Sequence, residues 1–432
     1  MQTKAENKDV FKETEIGFIP EDWEVTKISD LTKTKAGGTP STFKKEYWDG
    51  NIPWINSGAL KDNRIREATK YITKLGLENS VAKILPKKTV LIALTGATTG
   101  KVGFLELECS TNQSVVGILP NNNFIPEYLF YHLIFLRDKV LELKYGAAQP
   151  HINKGLVDNL LVVLPSLPEQ QRIGSILSKI QQAIEQQDKI IETTRNLKKS
   201  LMQKLFTEGV RHTELKNSML GRISKNWETV ELNEVITLAQ YGLSIKGEKL
   251  GRYSIIRMNN LENGRILTDD LQYVNLDDKI FQHFRLVKGD ILFNRTNSID
   301  LVGKTALFDM DDDFVFASYL IRLKVMNEKV LPQFIGYYLN WNETQRRLKG
   351  LATRAVGQSN ISATRLRTLV ISLPTITEQQ AIAETLLSVD KKIEAEEKRK
   401  SMLQRLFKTM LNRLMTGEIR VKDLDLGVSD VN

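Results

Sequence analysis

A duplication constrains this chain more than any other feature of its sequence. Near the start stands IGFIPEDWEV, Ile16 to Val25, and LGRISKNWETV, Leu220 to Val230, echoes it, with Trp227 lying 204 residues after Trp23. IPEYLFYHL, Ile125 to Leu133, matches LPQFIGYYL, Leu331 to Leu339, at an offset of 206. The stretch from Gln149 to Ile173 matches that from Gln358 to Ile382 at an offset of 209, and KLFTEG from Lys204 corresponds to RLMTGE from Arg413. The order is the same in both halves. This is a tandem repeat of about 205–210 residues, far longer than the unit of a solenoid.

Each half opens on its tryptophan segment, continues through short strands and turns, passes a Leu-Pro segment and ends in a long helix. From Pro168 to about Phe206 the only glycine is Gly174, and Ile173, Leu177, Ile180, Ile184, Ile191, Leu201 and Leu205 recur at coiled-coil spacing. The seam positions Gln187, Thr194 and Lys198 are polar. The second copy has Ile382, Leu386, Val389, Ile393, Leu403, Phe407, Met410 and Leu414, interrupted at Glu396 and Lys400. Pro168 suits a helix start, and Glu169 and Glu378 suit the positive end of the helix dipole. Two such helices in one chain can pair antiparallel, and one of roughly 40 residues spans roughly 60 Å. In the globular parts, Thr89–Leu94, Ser114–Leu119, Asp290–Asn294 and Tyr319–Val325 are predicted strands. Ile125–Lys144 and Leu331–Gly350 are predicted helices. The expected fold is α+β: two α/β domains with two long helices forming an antiparallel coiled coil, and a pseudo-two-fold internal repeat. The expected boundaries are 1–165, 166–210 (helix), 211–373, 374–417 (helix) and 418–432, a C-terminal tail whose acidic part after Arg420 has no assigned role.

Composition narrows the classes without choosing one. The formal charge of +9 at pH 7 suits nucleic acid, but a lysine-rich solvated surface looks the same. One cysteine, Cys109, excludes an intrachain disulfide framework and a multi-cysteine zinc site, and fits a reducing cytoplasm. No run of 18 apolar residues exists, so no membrane span is expected, and the polar start is unlike a signal peptide. The histidines His132, His151, His212 and His283 are scattered, without metal-ligand spacing. His132 reads as a structural residue of a helix. His151, in the loop Gln149–Asn153, and its polar counterpart Gln358–Ser362 can equally touch DNA or pack. No glycine-rich dinucleotide fingerprint and no adenine-methyltransferase tetrapeptide is present. LTGATTGKVG (Leu94–Gly103) and FNRTNSIDLVGKT (Phe293–Thr305) both follow a strand and end in Gly-Lys, so each can hold a phosphate. Neither has P-loop glycine spacing. The halves differ most in Ala36–Ile65 and Ala239–Ile266, loops rich in small polar residues and lysine with aromatics interleaved, which suit phosphates and base edges or plain surface.

The assembled pattern resembles the specificity subunits of Type I restriction-modification systems over essentially the whole chain. The resemblance rests on three duplicated features and one found in the first half alone. The opening Gly17-Phe18-Ile19-Pro20-Glu21-Asp22-Trp23 recurs in degenerate form from Gly221 to Trp227, where Ser224 replaces the proline. The Leu-Pro-x-x-x-Glu-Gln-Gln helix starts run from Leu164 to Gln171 and from Leu373 to Gln380. The helix endings run from Leu201 to Gly209 and from Leu411 to Gly417. The first variable half, with GGTPS and Ile52-Pro53-Trp54, looks like one class of target recognition domain.

The resemblance implies a non-catalytic subunit. Each variable half would read a few base pairs of double-stranded DNA, and the helices would set the spacing of the half-sites. They would also dock two methylation subunits that bring S-adenosylmethionine and methylate adenine. Endonuclease subunits would add ATP hydrolysis with magnesium, so no cofactor or metal is expected in this chain. Unlike halves imply an asymmetric bipartite target. The expected contacts in the first half are Thr39, Ser41, Lys44, Lys45, Trp54, Asn56, Ser57, Thr98, Thr99 and Lys101. In the second they are Tyr241, Ser244, Lys246, Arg257, Asn259, Asn294, Arg295, Asn297, Lys304, Arg354, Gln358 and Asn360. Two other readings stay open: a free-standing sequence-specific DNA-binding regulator, and a coiled-coil scaffold that binds only protein.

Overall fold

The structure, a computed structural model, describes residues 10–142, 151–210, 214–355 and 358–422. Gln149, Pro150, His212 and the acidic tail from Asp423 lie outside the described residues. The chain divides into two compact units, Met1–Asp188 with Arg399–Asn432, and Lys189–Lys398. Each unit therefore takes half of each long helix, Leu167–Leu205 and Ile376–Met415.

In the first unit a hairpin, Phe11–Thr14 with Gly17–Pro20, precedes Trp23. Strand Glu24–Lys27 then pairs antiparallel with Leu161–Leu164, which leads into the long helix. Between them lies a five-stranded sheet in the order Thr34–Ala36, Val115–Ile118, Val90–Ala93, Val102–Leu105, Asn63–Ile65. Its runs of four buried residues, VLIA, VGFL and VVGI, mark strands covered on both faces. A second sheet, Lys70–Ile72, Trp48–Ile55, Cys109–Thr111, Ile84–Leu85, has its strands interleaved with these in sequence. The second unit repeats the plan. Its main sheet runs Ile236–Tyr241, Leu320–Val325, Ile291–Asn294, Thr305–Leu307, and its second sheet Gln272–Val274, Tyr253–Ile256, Phe314–Phe316. A small third sheet of Thr296–Asn297, Gln358–Asn360 and Thr353–Ala355 has no counterpart among the described residues of the first unit.

The predicted helices at Ile125 and Leu331 form, but each breaks in two. Pro126–Phe135 is followed by Arg137–Glu142, and Pro332–Asn340 by Asn342–Leu351. In the second unit the break falls at Trp341, whose backbone turns extended at ψ 137° while its ring packs on Phe206 at 5.6 Å. Burying that indole in the core repays one lost helical turn.

The duplicated motifs are the joints of this frame. Trp23 and Trp227 are buried, and their indole N–H groups donate to Glu169 at 3.1 Å and to Glu378 at 2.8 Å. The next residues, Gln170 and Gln379, accept from the backbone N–H of Ile125 and Leu331, both at 2.9 Å. Their amides donate back to Pro165 and Pro374 C=O at 2.8 and 2.9 Å. The Leu-Pro-x-x-x-Glu-Gln-Gln motif thus satisfies the exposed start of one helix and ties it to the tryptophan and to the preceding helix.

Within the first unit the start of one long helix runs antiparallel to the end of the other. Ile173 and Leu177 share a core with Leu411, Leu414 and Met415, and Lys400 meets Asp188 at 2.5 Å. The second unit mirrors this: Met202 and Leu205 share a core with Ile382 and Leu386, and Lys198 bonds Asp390 at 2.7 Å. The polar seam positions Gln187 and Thr194 are buried, Thr194 donating to Ile190 C=O at 2.7 Å. No described helix is long and apolar enough to cross a membrane.

Candidate nucleic-acid interface

Register places the variable loops. In the first unit's main sheet Ala36 pairs with Val116, Ala93 with Val115, and Ile92 with Val102. The loop after Ala36, the segment before Val115 and the turn joining Ala93 to Val102 therefore leave the sheet at one end. In the second unit Tyr241 pairs with Ile321, Asn294 with Leu320, and Phe293 with Thr305. The loop after Tyr241, the residues before Leu320 and the turn from Asn294 to Thr305 leave at the corresponding end. The second sheets add their own turns there. Asn56–Ala59 follows Trp48–Ile55, where Ile55 C=O accepts from Asn112, and Arg257–Asn260 follows Tyr253–Ile256, where Ile256 C=O accepts from Ala317. Last come the amide-rich segments: Ile152 N–H donates to Leu94 C=O at 2.9 Å and Ile361 N–H to Arg295 C=O at 2.8 Å. Segments far apart in sequence thus converge on the same end of the same sheet, once in each unit.

Close backbone approach explains the glycines at the mouth of these loops. A Cβ on Gly37 would strike Asn112 and Thr111, and one on Gly242 would strike the carbonyls of Phe316 and Ala317. Beyond Gly37 and Gly38, Thr39 donates to Gln113, and the exposed Ser41 offers its C=O to the Trp48 indole at 3.1 Å. Lys44 donates to the Tyr47 hydroxyl at 3.0 Å, and Lys45 is exposed. Asn56 caps its own turn through Gly58 N–H at 3.0 Å, with Ser57 half-buried beside it. Trp54 is a framework residue rather than an exposed reader. It is 5% exposed, gives its indole N–H to Gly38 C=O at 3.1 Å and meets Trp48 edge to face at 5.1 Å.

The Gly-Lys turns are structural to an extent that spacing alone does not show. Gly96 and Gly100 take positive φ of 77° and 76°. Thr99 is buried and bonds Gly96 C=O at 2.7 Å, whereas Thr98 is half-buried. Lys101 is held by Asp62 at 3.0 Å, and Asp62 also pairs with Arg137 and accepts from Val102 N–H at 3.1 Å. A phosphate would have to compete with Asp62 for Lys101. Lys304, the matching residue, is half-buried and has no ion pair among the described residues. Asn294 is wholly buried and spends its amide on Leu301 C=O and Thr296 N–H, so it shapes the turn from inside.

The second unit gathers the remaining candidates more tightly. The Arg295 guanidinium lies over the Tyr241 ring at 4.7 Å and donates to Asn360 at 3.3 Å and to Ser318 C=O at 3.4 Å. Asn360 in turn donates to Thr296 at 2.9 Å, and the Tyr241 hydroxyl accepts from Ala363 N–H at 2.9 Å. Asn297 reaches Met258 sulfur at 3.6 Å, joining the Arg257–Asn260 turn to this cluster. There Arg257 and Asn259 both bond Asp270, at 2.9 and 3.3 Å. The small third sheet carries Asn297, Gln358, Asn360 and Arg354, with Gln358 exposed; the Arg354 side chain lies outside the described residues. Ser244 and Lys246 are exposed on the loop after Tyr241. The Arg295 guanidinium is thus fixed by one ring, one amide and one carbonyl, with its Nε buried without a partner among the described residues. Sequence reading missed Asp62, Gln113, Ser318 and the 48% exposed Tyr319, because only the register brings them to the sheet end.

The strongly perturbed groups sit in the frame, away from these loops. Burial pushes the Cys109 thiol up to about 12 and His132 down to about 3. Neither arrangement resembles a poised nucleophile or base.

Comparison with known proteins identifies the family. The model of the family described as Type I restriction modification DNA specificity domain matches twice, over residues 20–194 and 224–405. The MjaVIII specificity subunit of Methanocaldococcus jannaschii is 30% identical over 431 residues, covering 98% of both chains. The EcoKI specificity subunit of Escherichia coli is 22% identical over 85% of this chain and 82% of its own. Among solved structures, the S subunit of the Type I restriction-modification system of M. genitalium superposes with a TM-score of 0.60 at 16% identity, over 95% of this chain and 98% of that one. With the family model covering most of the sequence in two successive copies, the chain belongs to the specificity subunits of Type I restriction-modification systems.

Proposed function

We propose that this chain reads a split DNA sequence and carries a DNA methyltransferase to it, performing no chemistry of its own. One observation carries the reading. The residues repeated between the halves make internal joints, while the stretches that differ, Thr39 to Ser57 against Tyr241 to Asn259, leave the corresponding sheet end of each unit and return to it. A frame built twice that presents different polar loops is what two different half-sites require. Amides and guanidinium groups such as Asn56, Asn297, Gln358 and Arg295 would read base edges, and lysines such as Lys45, Lys246 and Lys304 would hold phosphates. The target is therefore asymmetric and bipartite.

The long helices would set the gap between half-sites and offer the docking surface for two methylation subunits. Those subunits would supply S-adenosylmethionine and transfer its methyl group to adenine; endonuclease subunits would supply ATP- and magnesium-dependent cleavage. The test is adenine-methylation mapping of a host genome with and without this gene, an active methylation subunit being present in both. A two-part motif with a fixed gap that appears only with this chain is the expected result. Unchanged methylation would overturn the reading in favour of a scaffold. Tight specific DNA binding without any methylation subunit would favour a free-standing regulator.

A further inference from the structure

Among the described residues the two most exposed large apolar side chains are Phe43, at 96%, and Leu250, at 83%. They occupy corresponding loops. Phe43 follows strand Thr34–Ala36, and Leu250 follows strand Ile236–Tyr241. Both loops leave through the same joint, in which Gly38 N–H donates to Thr111 C=O and Leu243 N–H to Phe316 C=O, each at 2.8 Å. Exposed lysines flank both side chains, Lys44 and Lys45 in one loop, Lys246 and Lys249 in the other.

The turn that carries Phe43 is anchored from below. Lys44 N–H closes it onto Ser41 C=O at 3.3 Å, and the same carbonyl accepts the Trp48 indole at 3.1 Å. Tyr47 N–H then donates to Lys44 C=O at 3.1 Å, and the Tyr47 ring is buried. Two aromatic residues thus hold a turn whose own aromatic side chain packs on almost nothing. A bare phenyl ring in water is unfavourable, and a pre-ordered turn loses little further freedom when that ring is buried.

Resting on the proposed reading of these variable loops as a DNA interface, we infer that Phe43 is an apolar wedge for the first half-site. It would press into a base step of the duplex while Lys44 and Lys45 pair with the flanking phosphates. Ring and lysines complement a nucleic acid together: the base stack is the most extended apolar surface of DNA, and it is bordered on both sides by anions. Leu250 would meet the second half-site in the same manner.

The experiment uses the complex of this chain with its methylation subunits. Methylation mapping with the wild-type chain defines the target; if no bipartite motif appears, the underlying reading fails and the wedge with it. Given a motif, duplexes carry 2-aminopurine at each adenine in and beside the first half. The wild-type complex should raise the emission at one step, the mark of unstacking. F43A should lose that rise and bind the duplex about tenfold more weakly, the scale of one lost base–aromatic stack. F43Y should keep both. F43A that binds within twofold of wild type, or that leaves the emission rise intact, overturns the inference. So does loss of the methylation subunits on purification of F43A, which would make Phe43 a protein contact.

Discussion

Acidification should loosen the first unit through one residue, His132. Its ring is fully buried, stacks on Tyr128 at 5.5 Å and accepts the Val163 N–H through Nε2 at 3.1 Å. An imidazole that accepts through one nitrogen is neutral, and a proton added there would break the bond to the strand that leads into the long helix. Burial first, and then Lys139, lower its pKa from the ordinary 6.5 to about 3. The unfolded chain takes up this proton long before the folded one. The stability tied to neutral His132 is therefore whole above about pH 6.5, and is lost progressively as pH falls from there toward 3. At pH 5 the unfolded imidazole is favoured by about 2 kcal/mol, since each unit of pH below its own pKa adds about 1.4 kcal/mol. For a unit of this size that is a fall of about 4–8 °C in the melting midpoint. The assay is calorimetry of wild type and H132Q at pH 7.5 and pH 5.0. Glutamine offers Val163 an acceptor and does not titrate, while every carboxylate titrates alike in both proteins. The wild-type first-unit transition should lose about 2 kcal/mol more than that of H132Q between the two pH values. The second unit is an internal control, because Tyr338 stands where His132 does and accepts from Ser372 N–H at 3.1 Å. Equal pH dependence of the two proteins, or a wild type steadier at pH 5, would refute the argument.

Three further outcomes follow from single contacts. R420A should destabilise the first unit by about 3–5 kcal/mol in urea, because Arg420 neutralises the 1% exposed Glu169 at 2.9 Å; a change under about 1 kcal/mol would show that carboxylate to be solvated. K198M should weaken the second unit by about 1.5–3 kcal/mol, the scale of one hydrogen bond to a charged group, because the half-buried Asp390 loses Lys198 and keeps the Tyr337 hydroxyl and Arg265, and a melt unchanged from wild type would contradict this. R295K, which keeps the charge but not the flat guanidinium over Tyr241, should relax one base of the second half-site, a discrimination of about 1–3 kcal/mol, and leave the first half unchanged in methylation mapping. An unaltered motif methylated at the wild-type rate would remove Arg295 from the reading surface.

Period and repetition made much of the frame legible. The seam from Ile173 to Leu205 lies on the helix Leu167–Leu205, and the apolar runs at Val90 and Val115 are strands, because burial on a helix face or inside a sheet leaves a local pattern. Pairings between distant residues leave none. Nothing near Lys101 announces Asp62, 39 positions earlier, yet that carboxylate decides how much of the lysine's charge is left for a phosphate. Trp54 looks like an interface aromatic in the string Ile-Pro-Trp, and only its bond to Gly38 reveals that it braces the loop instead of presenting itself. The segment after the second helix was legible only as a tail. In the fold its first residues, through Arg420 and Val421, bond Glu169 and complete the core around Trp23.

That last contact bears on how the two units can diverge. Glu169 and Glu378 both accept a tryptophan indole, and Gly209 and Gly417 both end their helices through positive φ, of 76° and 72°. The joint is the same in each copy, so selection on the joint is selection for folding. The loops at the sheet end, by contrast, are bonded largely among themselves, as Arg295 with Tyr241 and Asn360, or Arg257 with Asn259 through Asp270. Changing them disturbs few contacts that hold the frame, because the buried strands beneath are closed by backbone ladders. Such an arrangement lets what each unit reads change without altering what holds it together. It also accounts for a sequence whose two halves match at Trp, Tyr, Glu and Gln while sharing almost nothing between Gly38 and Ile65 or Gly242 and Ile266.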